Sequence, residues 1–366
     1  MQPPDFSQLA GPGINVRLFG AKGDNVTDDT AAIQQAIDTA APMEGAVWFP
    51  PGQYRCGMLQ LRDSVALVGT PTWSYRRFGG TVLHLNDATA TCLVNLTGTI
   101  GARVSGLGLD GGNLGENVHG IYLNGEGHNE EDTLVIENCR VSLFSGDGAH
   151  LEKVWGFTVR DNMFHCNGGD GVGITQWDGW VHDNIMIANR KFGFAARGAN
   201  AAVTITSNRI EWNYLGGILL EGGTHYNVTG NFIDRSGGPA LLLRGAKDAS
   251  DPRWLPGTVA ITGNIFNRSG AQVALGTPES SHVWLEDVHG VACTGNVCCY
   301  GTNDDGGGQA SPSYGMVLGG LRNCVVAGNT LNNAALQQLI LDKGAHDDAT
   351  VIRDNPGNVL VATQLG

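Results

Sequence analysis

Two aspartates one repeat length apart are the first residues in this chain that could do chemistry together. Ser145-Gly146-Asp147-Gly148 and Gly168-Gly169-Asp170-Gly171 put Asp147 and Asp170 at matching points of successive segments. If those segments stack as neighbouring strands, the two Cα atoms lie about 4.8 Å apart. Carboxylates that close can share a proton, act as nucleophile and acid, or bind a cation. The plainer reading is that each Asp closes its own Asp-Gly turn. Glu211 and Asp234 form a second matched pair, beside Trp212, Tyr214 and Arg235. An acid pair next to aromatics suits retaining glycoside cleavage; the alternative is a solvated pair offset by Arg209 and Arg235.

Asp147, Asp170, Glu211 and Asp234 are therefore the candidate catalytic residues. His150, Glu152, Lys153, Trp177 and Asp178 cluster beside the first pair. Glu152, Arg197, Glu221 and Arg244 fall in one outward column running from Asn124 to Glu286. Mixed charge there suits a sugar-binding groove, and equally a plain ladder of weak surface ion pairs. Trp177 and Trp212 could each stack against a sugar ring or simply pack a loop. These residues make up the candidate binding set. No histidine or cysteine group has metal-ligand spacing, so no metal site is expected. Asp304-Asp305 reads as a flexible acidic loop, with calcium binding as its rival.

The elements that must position these side chains are legible as a repeat. Val159-Arg160-Asp161-Asn162, Val181-His182-Asp183-Asn184, Ile205-Thr206-Ser207-Asn208 and Val228-Thr229-Gly230-Asn231 share one pattern. It continues at Asn264, Asn296, Asn329 and Asn355, and Ile136-Glu137-Asn138 looks like an earlier copy. A period near 23 suits one coil of two or three short strands, stacked so that Val, Ile and Leu form inner columns. The recurring Asn is expected at a bend, tolerating left-handed dihedrals and bonding coil to coil. Glycine opens a second strand in many coils, as in Gly120-Ile121-Tyr122-Leu123, Gly148-Ala149-His150-Leu151 and Gly217-Ile218-Leu219-Leu220, with Ala240, His282 and Gln338 in its place in later copies. Longer coils carry insertions at Gly245–Gly257, near Ser269–Ser281 and at Gly301–Ser313.

Composition agrees. The chain holds 55 glycines and 13 prolines in 366 residues, which demands many turns. Its net charge of −13 argues against nucleic-acid binding. The two signs nearly balance between Arg140 and Arg268, so a polyanionic substrate along the middle remains compatible. No apolar run reaches membrane-spanning length, so no membrane partner is expected. The eight cysteines sit mostly in apolar runs and read as buried free thiols. Met1-Gln2-Pro3-Pro4-Asp5 has no signal-peptide pattern; a secreted or periplasmic location would require a signal removed from this sequence, and otherwise a cytoplasmic or virion-associated one is expected.

Asp28-Asp29-Thr30 followed by Ala and Ile periodicity predicts a capped helix over the open end of the stack. Here the sequence resembles a known group. Val16-Arg17-Leu18-Phe19-Gly20-Ala21-Lys22-Gly23-Asp24, Thr27-Asp28-Asp29-Thr30 and Val47-Trp48-Phe49-Pro50 look like the opening motif of pectate-lyase-3, polygalacturonase-like proteins. The resemblance implies an all-β, single-stranded right-handed parallel β-helix, a solenoid with an N-terminal capping helix. Residues 1–70 would form the cap and opening motif, and 71–366 one continuous run of coils. Gly106-Leu107-Gly108-Leu109-Asp110-Gly111 is similar to a turn of polygalacturonase-like hydrolases. The hydrolase Asp-Asp pair and Gly-His-Gly are replaced here by Gly146-Asp147 and Gly169-Asp170-Gly171.

The expected function is cleavage of glycosidic bonds in a poly- or oligosaccharide through paired carboxylates, as in a glycoside hydrolase or glycosyl-transferring enzyme. One rival is a polysaccharide lyase or uronate epimerase, with Arg197, Lys153 or Arg244 neutralising the substrate carboxylate. Another is a non-catalytic glycan-binding or tailspike-like module. No cofactor is expected for hydrolysis, whereas calcium would favour a lyase. The resemblance implies a homotrimer for some members.

Overall fold

The computed structural model describes residues 11–125, 131–245, 256–270, 272–302, 304 and 311–360. Met1–Asp5, the 246–255 part of the first insertion, and Asp305 lie outside the described residues. Two compact units are present, Met1–Gly173 and Ile174–Gly366. Each is a stack of parallel β-coils, as expected of a right-handed parallel β-helix.

In the first unit, alternation of apolar and polar residues sends one side chain of each short strand inward. Val47, Leu67, Val104, Ile136 and Val159 are Cα partners in successive parallel strands, and all are fully buried. Tyr54, Leu83, Leu109, Val141 and Phe164 form a second such column. The second unit repeats the plan with Val181, Ile205, Val228, Ile261, Cys293 and Val326. Each fully buried aliphatic side chain contributes about 1.5–3 kcal/mol, which is why no coil stands without its neighbours.

The single α-helix among the described residues spans Thr30–Ala40 and buries Ile33, Ala36, Ile37 and Ala40 against the strands Ala46–Trp48 and Leu59–Gln60. It begins two residues later than the sequence suggested. Asp29 makes no side-chain cap; its carboxylate accepts from the Lys22 and Gly23 amides instead, and Asp28 accepts from the Thr30 amide. No helix among the described residues is long and apolar enough to cross a membrane.

The asparagine ladder is real but shifted in role. The left-handed residue is the one before each Asn: Asp161, Asp183, Ser207 and Gly230 have φ of 57°, 56°, 56° and 66°. Each Asn amide is buried and spans coils. Asn208 Nδ2 donates to Asn231 Oδ1 at 2.9 Å and to Val181 O at 2.9 Å, and Asn231 repeats this with Asn264 Oδ1 and Ile205 O. Asn138 does not belong to the ladder. It follows the last register pair Glu137–Arg160, has φ 52° like Asp161 at 57°, and the ladder position is Cys139, whose amide donates to Asn162 Oδ1 at 2.9 Å. Replacing Asn231 by Ala strips the acceptor from the Asn208 amide and side chain and removes one donor from Ile205 O. A loss of about 2–4 kcal/mol is expected, read as a lower urea midpoint.

All eight cysteines are free, and six are buried. Glycine at the strand-opening column has a steric cause: a Cβ at Gly148 would lie 2.6 Å from Gly171 O, and one at Gly217 would lie 2.4 Å from Ala240 O.

Candidate active site

Among the described residues of the first unit, the turn leading into Ala149–Arg160 gathers His119, Asp147 and His150 within reach of one another. Asp147 precedes the glycine of that turn. His119 holds the equivalent place one coil earlier, because Tyr122 pairs in register with His150. Asp147 and Asp170 do come together as expected: the Asp170 amide donates to Asp147 Oδ1 at 2.7 Å, and the Gly148 amide donates to Asp170 O. Gly173 makes room for both carboxylates, since a Cβ there would lie 3.2 Å from Asp147 Oδ2 and 3.6 Å from Asp170 Oδ2.

The two carboxylates are closed off from solvent, however, at 6% and 1% exposure. What reaches the surface is His150, whose side chain is 33% exposed. Its Nδ1 donates to Asp147 Oδ2 at 2.7 Å. This fixes the tautomer and leaves the Nε2 lone pair facing outward, 4.0 Å from Glu152 Oε2 and beyond hydrogen-bond reach. Burial alone would raise the Asp147 carboxyl, but the His150 bond, the Asp170 amide and the two nearby imidazoles outweigh it and hold it below the usual carboxylate range. The Tyr122 ring stacks on His150 with centroids 5.5 Å apart and planes at 7°. Burial, with the charge of Glu152 second, pushes its hydroxyl pKa up, so Tyr122 stays protonated at neutral pH.

His119, Asp147 and His150 bring three potential metal-ligand atoms within 4.8 Å of one another. The lone pair of His119 Nδ1 is already used, accepting from the Asp147 amide at 3.0 Å. Asp147 Oδ1 is used by Asp170. The donor set is arranged for orienting His150 more than for gripping an ion.

His119 and Tyr122 were absent from the sequence-derived set. The signal was there: the aligned openings His119-Gly120-Ile121-Tyr122 and Asp147-Gly148-Ala149-His150 place them opposite Asp147 and His150. A search for carboxylate pairs starts the outward column at Asn124 and Glu152 and passes them by. Lys153 lies on the same strand as His150, in a left-handed conformation.

The second unit holds the remaining candidates. Glu211 and Asp234 are register partners, as expected, but they are not a solvated pair. Their exposures are 3% and 1%, because arginines cover them. Arg209 Nε pairs with Glu211 at 2.9 Å; Arg268 and Arg235 both grip Asp234 at 2.5 Å. Carboxylates committed to three guanidiniums are poorly placed to attack or protonate a sugar. Arg197, Glu221 and Arg244 form a register column in which Arg244 pairs with Glu221 at 2.7 Å, the surface-ladder arrangement. Trp177 and Trp212 are exposed, and Asp178 is half-buried.

Stacked parallel coils with a histidine-centred site at a strand opening define a parallel β-helix protein. The chain belongs to the rhamnogalacturonase A/epimerase, pectate lyase-like family, whose model matches residues 13–219. Mannuronan C5-epimerase AlgE6 of Azotobacter vinelandii is 36% identical over 202 residues, 49% of this chain and 22% of that protein. Alginate lyase 7 of the same organism is 34% identical over 203 residues, 49% of this chain and 23% of its own length. The chain thus spans about a quarter of these relatives. The solved A-module of AlgE6 superposes with a TM-score of 0.64 at 24% identity, covering 92% of this chain and 98% of the module, a likeness of fold.

Proposed function

We propose that the protein is a carbohydrate-active enzyme that removes the C5 proton of a uronate residue in an acidic polysaccharide, by β-elimination or epimerisation. The observation that carries this reading is the Asp147–His150 hydrogen bond, which presents a basic Nε2 to the surface. His150 takes the C5 proton, and the Asp147 carboxylate balances the imidazolium. Tyr122, protonated and in the adjacent coil, is the proton donor. In elimination the C5–H and C4–O bonds break, C4=C5 forms, and the donated proton goes to the departing oxygen. In epimerisation Tyr122 delivers a solvent-exchanged proton to C5 from the opposite face, the C4–O bond is not broken and the chain stays intact. Lys153, three residues along the strand from His150, is a cation able to neutralise the uronate carboxylate, whereas Arg160 on the same strand is paired with Glu137. The named activities of the epimerase and lyase relatives support this chemistry over hydrolysis. So does the burial of Asp147 and Asp170, which would have to be the reacting acids in a hydrolase.

The test is incubation with uronate polymers in deuterated buffer, read for unsaturated-uronate absorbance and for deuterium at C5. Either signal supports the reading and separates lyase from epimerase. New reducing ends with neither signal would instead return the site to hydrolysis by Asp147 and Asp170. With Lys153 assigned the neutralising charge in place of the calcium expected of a lyase, chelation with EDTA is expected to leave the rate within about twofold; loss of the rate, restored by calcium, would contradict that.

A further inference from the structure

A second group of residues, in the second unit, gathers exposed aromatics beside cations and takes no part in the His150–Asp147 pair. Trp212 sits in a left-handed turn with φ 58°, a conformation the register neighbours Ala188 and Arg235 share. It is 41% exposed, and Tyr214 and Leu215 in the same turn are 60% and 45% exposed. The Trp212 ring is braced from the next coil: the Arg235 guanidinium lies 4.6 Å from its centroid, and Arg235 is itself anchored on buried Asp234. On the other side, the Tyr214 and Leu215 amides bond to Asn189 O and Lys191 O, which sets this turn directly beside Arg190 and Lys191. Both of those cations are exposed.

Exposed aromatics that scatter singly need no explanation, but a braced ring beside two cations is a different arrangement. Aromatic faces suit the C–H faces of sugar rings, and the cations suit carboxylates carried along a chain. On a protein of net charge −13, cations gathered against aromatics select an anionic ligand over the general repulsion. We propose that Trp212, Tyr214, Arg190 and Lys191 form a binding subsite for an acidic polysaccharide. The proposal rests on the uronate reading of the substrate and adds where the second unit holds the polymer.

The test is affinity electrophoresis of the full chain in gels containing polymannuronate or, as a neutral control, dextran. Trp212→Ala with Tyr214→Ala, and separately Arg190→Glu with Lys191→Glu, are each expected to weaken retention by polymannuronate at least tenfold. Trp212→Phe with Tyr214→Phe should restore most of it, and dextran should retain none of the proteins. Urea midpoints close to wild type for these variants exclude unfolding as the cause. Variants retained as strongly as wild type, wild type not retained at all, or retention by dextran would overturn the subsite. Retention of wild type without any product would leave the subsite standing and remove the catalytic reading; product formation with undiminished retention of the variants would do the reverse.

Discussion

Replacing His150 by Asn is expected to lower turnover of a uronate polymer by about 10²–10⁴-fold, the range a positioned general base contributes. Asparagine keeps a donor toward Asp147 Oδ2 and removes the outward basic nitrogen, so the loss should fall on kcat and not on folding. Asp147→Asn attacks the same step from behind. It removes the acceptor that fixes the His150 tautomer and the charge that balances the imidazolium, and a loss approaching that of His150→Asn is expected. Because the Asp147 carboxyl is held below its ordinary range, its support persists through neutral and mildly acid pH and is lost only as pH falls below the usual carboxylate value near 3.8. Full activity in His150→Asn would end the proton-transfer reading.

The second large effect concerns stability. His282 occupies the strand-opening column that is Ala240 in the coil before and Gly315 in the coil after, and it is wholly buried. Burial drives its pKa from 6.5 down to about 3, against a smaller opposite pull from the Ala334 backbone. Above pH 6.5 the imidazole is neutral in folded and unfolded chains alike, so it adds no pH dependence. Below that, the unfolded chain takes up a proton that the folded chain refuses, so stability falls with decreasing pH until the folded value is reached. At about 1.4 kcal/mol per pH unit, the loss attributable to this one side chain is roughly 3 kcal/mol at pH 4.5. Carboxylates add their own dependence, so the difference between wild type and His282→Leu is the quantity to measure by urea unfolding. The variant should lose stability less steeply between pH 6.5 and 4.5. Equal slopes would show that His282 is charged or relaxed into solvent.

The fold was legible because the repeat is written in residues the backbone demands. Glycine is required where coils nearly touch, as at Gly148, and asparagine where a buried amide must bridge two coils, as at Asn208. Asn138 deceived because asparagine also suits the neighbouring left-handed position. Asp147 and Asp170 were legible as neighbours from spacing alone. Their role was not, because burial depends on what covers them. The same holds for Glu211 and Asp234: Arg268 comes from another coil, 34 residues beyond Asp234, and nothing in the local spacing announces it. His119 and Tyr122 could have been found by aligning the strand openings with no prior choice of residue type.

The asparagine ladder has one consequence for how such a protein changes over generations. Asn208 to Asn231 is a loop of 23 residues and Asn231 to Asn264 one of 33, yet both steps close with amide bonds of 2.9–3.0 Å. The ladder therefore works as an indexing pin: contour length is free to vary while pitch is not. Insertions can accumulate at the turns, altering what the surface recognises, without disturbing the register that sets His150 beside Tyr122. Scaffold and specificity are inherited almost independently, and a designer could exchange turn segments between pins in the same way.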